Sequence, residues 1–152
     1  MISQTVEYAL RAMSNLASFD GTATTSKAIA KATRVPAEYL SKVMRDLVRA
    51  DLVHSFRGPR GGFVLARCPD AITLLEIVNA VDPIQRITRC PLENPSHSQL
   101  CPLHRCIDEA LGQVEQRFRT TTLGSVLSSI PAKCDCRALA NPFEGSMAKK
   151  AS

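Results

Sequence analysis

Apolar side chains recur at helical spacing along the first half of the chain, which predicts a series of amphipathic helices. The first covers about residues 4–18, and a short second helix, N-capped by Thr25 or Ser26, runs to Thr33. A turn at Arg34–Val35 leads to a third helix, with Pro36 at its first position. Short helix, tight turn and longer helix together predict a helix-turn-helix.

Two short strands are predicted after the third helix, at Leu52–Phe56 and Gly62–Ala66. Between them lies Arg57–Gly61, whose glycines permit the positive φ of a tight hairpin. A hairpin directly after a recognition helix is a wing, and a further helix at Thr73–Val81 closes the unit. The expected fold is therefore mainly α with a small β-hairpin wing.

The second half of the chain contains a different apolar pattern. No apolar period occurs from Pro83 to Leu100, which is expected to be a loop. Afterwards apolar residues repeat at spacings of 4, 3 and 4, which is typical of a helix that packs on another helix. They are Ile107, Leu111, Val114 and Phe118. We expect this long helix to form a homodimer with its twin, and packing onto its own domain is the alternative.

These patterns divide the 152 residues into four parts. We expect a winged helix-turn-helix DNA-binding domain at 1–83. A loop that contains cysteines and is expected to bind a metal cluster follows at 84–101. A dimerisation helix and a terminal helix follow at 102–130, and a flexible tail at 131–152. The start lacks a basic segment followed by an apolar one, and no eighteen-residue apolar run occurs, so we expect a cytoplasmic protein without a membrane segment.

Positive charge is concentrated in the helix-turn-helix and wing. The net charge is +5, and residues 27–67 hold nine lysines and arginines against three acids, as in a phosphate-binding surface. On the third helix Lys42, Arg45 and Arg49 lie about 140–200° from the core direction. Glu38 either accepts from a cytosine amino group or satisfies the helix start.

Double-stranded DNA is the partner that this pattern predicts. The second helix start would contact phosphates, the third helix would read the major groove, and the wing arginines would enter a minor groove. The predicted contact residues are Ser26, Lys27, Tyr39, Ser41, Lys42, Arg45, Arg49, Arg57 and Arg60.

Three of the six cysteines, Cys90, Cys101 and Cys106, lie within seventeen residues. Thiolates are the preferred ligands of iron–sulfur clusters and zinc, so this cluster predicts a soft-metal site. If Pro102 opens the long helix, Cys101 becomes its N-cap and is free to turn, although five residues along one helix would place Cys101 and Cys106 about 140° apart. A buried thiol is expected for Cys68, and Cys134 and Cys136 are assigned no role.

Three segments resemble a known family: Tyr8–Arg11, Val35–Lys42 and, most specifically, Ser55–Phe63 in the wing. Over about residues 1–130 the chain resembles the IscR/NsrR (Rrf-type) winged-helix transcription regulators. The resemblance implies a homodimer on a palindromic operator and an iron–sulfur cluster held by three loop cysteines, here Cys90, Cys101 and Cys106.

The fourth ligand implied by the resemblance is Glu7 from the partner's first helix, and its alternative is an ordinary surface pair with Arg11. His97 and His104 are rivals for the same position. Ten residues separate Cys90 from Cys101 and four separate Cys101 from Cys106, which departs from the family spacing of about five to seven. Whether the cluster has two or four irons therefore stays open.

The function expected from these features is a transcriptional regulator, most simply a repressor, whose operator binding is controlled by an iron–sulfur cluster. The alternative keeps the winged helix without a cluster and makes it respond to thiol oxidation, zinc or a protein partner. An enzyme is not expected, because the sequence holds no Gly-rich phosphate loop, nucleophile elbow or paired acid–base set.

Overall fold

The computed structural model describes residues 2–19, 21–91 and 99–130. His97, Cys134, Cys136 and the rest of the 131–152 segment lie outside these residues. The described helices and strands are α1 (Gln4–Ala17), α2 (Ser26–Thr33), α3 (Ala37–Arg49), β1 (Val53–Phe56), β2 (Gly62–Leu65), a 3-10 helix (Pro69–Ala71), α4 (Leu74–Val81), α5 (Pro102–Thr120) and α6 (Leu123–Ser128).

Hydroxyl side chains cap four of the described α-helices, as predicted from the sequence for the second helix. Ser3, Thr25 and Thr122 each accept a hydrogen bond from a backbone N–H three residues later. Pro36 at the N-cap of α3 and Cys101 at the N-cap of α5 make no side-chain cap hydrogen bond. The prediction that Pro36 is the first helical residue was therefore wrong by one position.

The core forms around α1, whose inward face includes two alanines among larger apolar side chains. Ala9 and Ala12 are fully buried together with Met13, so neighbouring helices can approach α1 closely. The apolar stripe of α3, represented by Leu40 and Leu47, packs into the same core. This packing leaves the opposite face of α3 in solvent.

The wing is an antiparallel hairpin in which Val53 pairs with Leu65 and Phe56 with Gly62. Thr24, just before α2, adds an isolated bridge to β2 through two backbone hydrogen bonds with Phe63, of 3.0 and 2.9 Å. The predicted wing is confirmed, and this bridge joins it to the start of the helix-turn-helix.

The chain returns to the first domain after α5. Leu74 N–H donates to Thr121 O at 2.9 Å and Leu123 N–H donates to Ile72 O at 2.8 Å. Leu123 is only 1% exposed and belongs to the core of the first domain. By contrast, no residue of α5 itself is buried. A helix of the length and apolar character needed to cross a bilayer is absent from the described residues.

Candidate metal centre and nucleic-acid interface

The helix-turn-helix presents one polar, basic face to solvent, which we call the basic face. The turn between α2 and α3 is made by Arg34 in the left-handed conformation, with φ 57° and ψ 29°. Buried Val35 follows, and it anchors the turn to the core. All nine predicted DNA-contact residues are exposed: Ser26, Lys27, Tyr39, Ser41, Lys42, Arg45, Arg49, Arg57 and Arg60.

The cations of α3 differ in their local partners. Arg49 lies 3.7 Å from Asp46, one turn earlier, whereas Arg45 has no salt bridge among the residues that the structure describes. The exposed Tyr39 ring makes an edge contact with Tyr8 of α1, with centroids 5.9 Å apart. Arg45 is thus free to contact DNA, and Tyr39 is held in place at the start of the same helix.

A second cluster forms where the loop after α4 meets the start of α5. The ligand atoms of Cys90, Cys101 and His104 all lie within 4.8 Å of one another, and we call these residues the Cys–His group. His104 Nδ1 is 3.1 Å from Cys101 Sγ and 3.7 Å from Cys90 Sγ. All three side chains are partly buried.

Helix geometry explains why His104 joins this group. Cys101 is the N-cap of α5 and Pro102 is its first residue, as predicted, so His104 is the third helical residue. An N-cap side chain and the side chain three residues later lie next to each other, as they do in a capping box. The Cys-x-x-His spacing at a helix start was the signal available in the sequence.

The other two predicted ligands lie elsewhere in this chain. Cys106 is exposed and does not belong to the Cys–His group. Cys106 is the second residue after His104 on the helix, which places the two side chains about 200° apart around α5. Glu7 is paired with Arg11 on α1.

The loop that carries Cys90 is attached to α5 by an arginine. Arg86 Nε and Nη2 each lie 2.7 Å from a different carboxylate oxygen of Asp108, and Nη1 lies 3.3 Å from Glu115. Ile87 N–H also donates to Asp108, at 2.9 Å. A Cβ on Gly112 would lie 3.1 Å from the guanidinium, so the missing side chain makes room for it.

These contacts favour the charged forms of both side chains. Hydrogen bonds from the Arg86 side chain and the Ile87 N–H lower the pKa of Asp108 to about 2. Hydrogen bonds to Asp108 and Glu115 raise the pKa of Arg86. We call Arg86, Asp108, Glu115 and Gly112 the Arg86 anchor. The sequence analysis did not predict it, because it joins residues more than twenty positions apart and has no local motif.

Cys68 also differs from expectation, since its side chain is exposed rather than buried. The hairpin pairing ends with Leu65, and Cys68 lies at the N-cap of the 3-10 helix that follows. Its backbone is extended at this point, where the chain leaves the wing for α4. The thiol therefore faces solvent instead of the core.

A winged helix-turn-helix whose third helix exposes basic residues is typical of a DNA-binding regulator. Comparison with known proteins supports this class. The family model "Rrf2: Iron-dependent Transcriptional regulator" matches residues 2–129. An HTH-type transcriptional regulator of Aquifex aeolicus is 33% identical over 132 residues, which cover 84% of this chain and 92% of the relative. CymR of Bacillus subtilis is 37% identical over 101 residues, or 65% and 73% of the two chains.

Two solved structures support the same assignment. The structure of CymR, described as the global cysteine regulator of B. subtilis, has a TM-score of 0.70 at 30% identity, and the match covers 86% of this chain and 98% of that one. T. potens IscR has a TM-score of 0.68 at 25% identity, with 84% and 86% covered. The chain belongs to the Rrf2 family of helix-turn-helix transcriptional regulators, which confirms the resemblance seen in its sequence.

Proposed function

We propose that this protein is a homodimeric transcriptional regulator, most simply a repressor in the cytoplasm, whose operator binding is controlled by an iron–sulfur cluster. The observation that carries the proposal is the convergence of Cys90, Cys101 and His104 at the start of α5. Sulfur and imidazole donors are those that iron–sulfur clusters and zinc accept, so the residues fit such a group.

Cys90, Cys101 and His104 would hold the cluster from one chain. Cys106 and Glu7 remain candidates to complete the set, Glu7 from the first helix of the partner subunit. When bound, a cluster of either two or four irons supplies sensitivity to oxidants and to iron supply.

The position of the Cys–His group explains how it would affect DNA binding. Cys101 and His104 belong to α5 itself, so a change in their contacts acts directly on the helix proposed to join two subunits. Two recognition helices must meet half-sites about one helical turn apart, and a small reorientation of α5 is therefore costly for operator binding.

The exposed face of α5 supports a homodimer on a palindromic operator. Its apolar residues Ile107, Leu111, Val114 and Phe118, which we call the α5 stripe, are at most partly buried, and Ile107 and Val114 are 41% and 39% exposed. The stripe borders a groove of about 340 Å³ whose other walls include Ile2, Val6, Val78 and Ile84.

The residues of the basic face would bind the operator in three ways. Ser26 and Lys27 would contact phosphates, and Arg57 and Arg60 would reach the minor groove. Base reading is assigned to exposed side chains of the first, second and last turns of α3, namely Tyr39, Ser41, Lys42, Arg45 and Arg49.

The Cys–His group also favours one alternative, a regulator without a cluster that responds to thiol oxidation. Cys90 and Cys101 are within 4.8 Å, close enough that two thiols could join, giving two protons and two electrons to a peroxide. CymR, among the relatives, is described as a global cysteine regulator. This alternative requires no metal.

Anaerobic purification with iron and sulfide analysis and visible spectroscopy tests the proposal. We expect iron, sulfide and colour in the wild-type protein and their loss in Cys90→Ala, Cys101→Ala and His104→Ala. Cys106→Ala is the matched comparison: colour retained there assigns the third ligand to His104, whereas colour lost there but kept in His104→Ala assigns it to Cys106. Wild-type protein without iron and sulfide, but with a Cys90–Cys101 disulfide after peroxide treatment, would support the alternative instead.

A further inference from the structure

The three α5 residues of the Arg86 anchor lie along one side of that helix. Asp108 lies one turn beyond His104, and Gly112 and Glu115 lie one and two turns further on. Arg86 lies four residues before Cys90, in the loop that returns from α4. The anchor and the α5 stripe therefore run alongside each other on α5, beyond the Cys–His group at its start.

We propose that the Arg86 anchor is the positioning element of the Cys–His group: it holds Cys90 against Cys101 and His104, and it couples the state of that group to α5. The coupling to operator binding rests on the proposed function. The positioning of Cys90 does not, since it concerns the protein without any bound metal.

The contacts of Arg86 are suited to fixing a loop. All three guanidinium nitrogens are used: Nε and Nη2 bind Asp108, and Nη1 binds Glu115. Because the group is planar, these contacts fix the orientation of the Arg86 side chain as well as its distance from α5. The Ile87 backbone adds a further bond to the same carboxylate. Two consecutive loop residues are thus bound to one side chain of α5.

Among the residues that the structure describes, Cys90 has no comparable hold of its own. It lies outside the helices and strands, and the contact assigned to its side chain is the 3.7 Å approach to His104. Cys101 and His104, in contrast, are fixed by the first turn of α5. The arrangement of the group consequently depends on where the loop is fastened, and among the described residues Arg86 and Ile87 fasten it to Asp108 just before Cys90.

The same contacts place the loop beside the α5 stripe. Asp82, Pro83, Ile84 and Gln85 line the groove that also contains Leu111, Val114 and Phe118. A shift of Arg86 along α5 would therefore move Cys90 at one end and the groove wall at the other. This gives the Cys–His group a physical connection to the surface proposed to meet a second subunit.

Thiol cross-linking of metal-free, reduced protein tests the positioning. Dibromobimane links two neighbouring thiols, each of which loses a proton and displaces one bromide, and peptide mapping identifies the Cys90–Cys101 product. We expect a high yield in wild type and a severalfold lower yield in Arg86→Ala and Asp108→Asn. Arg119→Ala is the matched control, because Arg119 binds Glu115 at 2.6 Å without contacting the loop.

Gly112→Ala provides a variant that keeps every charge. Alanine is the better helix former, so this chain should fold, but its Cβ would lie 3.1 Å from the guanidinium, which would have to shift by a few tenths of an ångström. We expect a reduced Cys90–Cys101 yield here as well. In a Co²⁺ titration of the metal-free protein, we expect Arg86→Ala and Gly112→Ala to bind Co²⁺ at least about 10-fold more weakly than wild type.

The positioning is overturned if Arg86→Ala or Gly112→Ala gives the same cross-linking yield as wild type. Circular dichroism must show that the variant is folded. For the coupling, operator affinity is compared between loaded and metal-free protein: we expect the difference to shrink in Arg86→Ala and to persist in Arg119→Ala. Absence of any difference in the wild type would contradict the proposed function while leaving the cross-linking result intact.

Discussion

Single residues set the position of the wing relative to the helix-turn-helix. At Gly62, in β2, a Cβ would lie 2.7 Å from the backbone C and O of Thr24, which is closer than side-chain atoms can approach. Thr24 is the residue that bridges to Phe63 and precedes α2. Only glycine allows the wing strand to lie this near to the start of the reading unit.

Gly62→Ala should therefore destabilise the protein by about 1–3 kcal/mol and weaken operator binding, because the wing must move away from Thr24. Urea unfolding and DNA titration measure the two effects. The control is Gly21→Ala, since a Cβ there meets nothing within 4 Å, although its φ of +80° still disfavours alanine by about 1 kcal/mol. Equal losses in the two variants would refute the close-approach argument.

At the level of elements, α4 is fixed by a capping box and an arginine. Thr73 Oγ1 accepts from the Glu76 N–H at 3.2 Å, and the Glu76 carboxylate accepts from the Thr73 N–H at 2.8 Å. Arg67, at the exit of the wing, donates to the same carboxylate at 2.7 Å. One side chain thus fastens both the helix start and the end of the hairpin.

The pH dependence of stability follows from this carboxylate. Burial acts to raise the pKa of Glu76, but the hydrogen bonds from Thr73 and Arg67 together hold it below its usual value of 4.5. Because the folded-state pKa is the lower one, the contribution of Glu76 is present above about pH 4.5 and is lost as the pH falls further.

Glu76→Gln should cost a few tenths to about 1 kcal/mol at pH 7, and the difference from wild type should shrink as the pH falls below 4.5. Denaturant unfolding at several pH values measures it. Glu109→Gln, on the exposed surface of α5, removes the same charge away from any cap. A cost that stays constant down to pH 3 would be inconsistent with the carboxylate's role.

For the whole molecule, the question is what covers α5. This helix has 19 residues and none of them is buried, whereas α1, with 14 residues, contains seven buried ones. The α5 stripe and the adjoining groove leave apolar side chains exposed on one side of the chain. A second copy of the chain would remove this surface from water.

We expect Val114→Glu to convert the protein to a monomer, because a carboxylate at the centre of the α5 stripe would be buried without a partner. Light scattering after size-exclusion chromatography measures the mass, and operator affinity should fall because two half-sites can no longer be held together. Gln113→Glu, which adds the same charge one residue away on the exposed surface, is the control. A dimeric Val114→Glu protein would show that the stripe is not the interface.

Local patterns were enough to determine the elements from the sequence. Apolar spacing gave the helices, a hydroxyl cap at Thr25 or Ser26 gave the start of α2, and Pro102 placed Cys101 at the N-cap of α5, because each of these depends on residues within one or two turns. The hairpin followed from its glycines. The basic face followed too, since charges opposite a buried stripe must be exposed.

The tertiary structure alone decided which distant residues meet. It joined Cys90 to His104 across the loop, fastened Arg86 to Asp108, and returned Leu123 to the core of the first domain. Neither spacing nor residue type could specify these contacts, because loop closure and packing bring together residues that have no local geometric relation. The sequence determined the helices and the donors, and the fold determined which donors share a site.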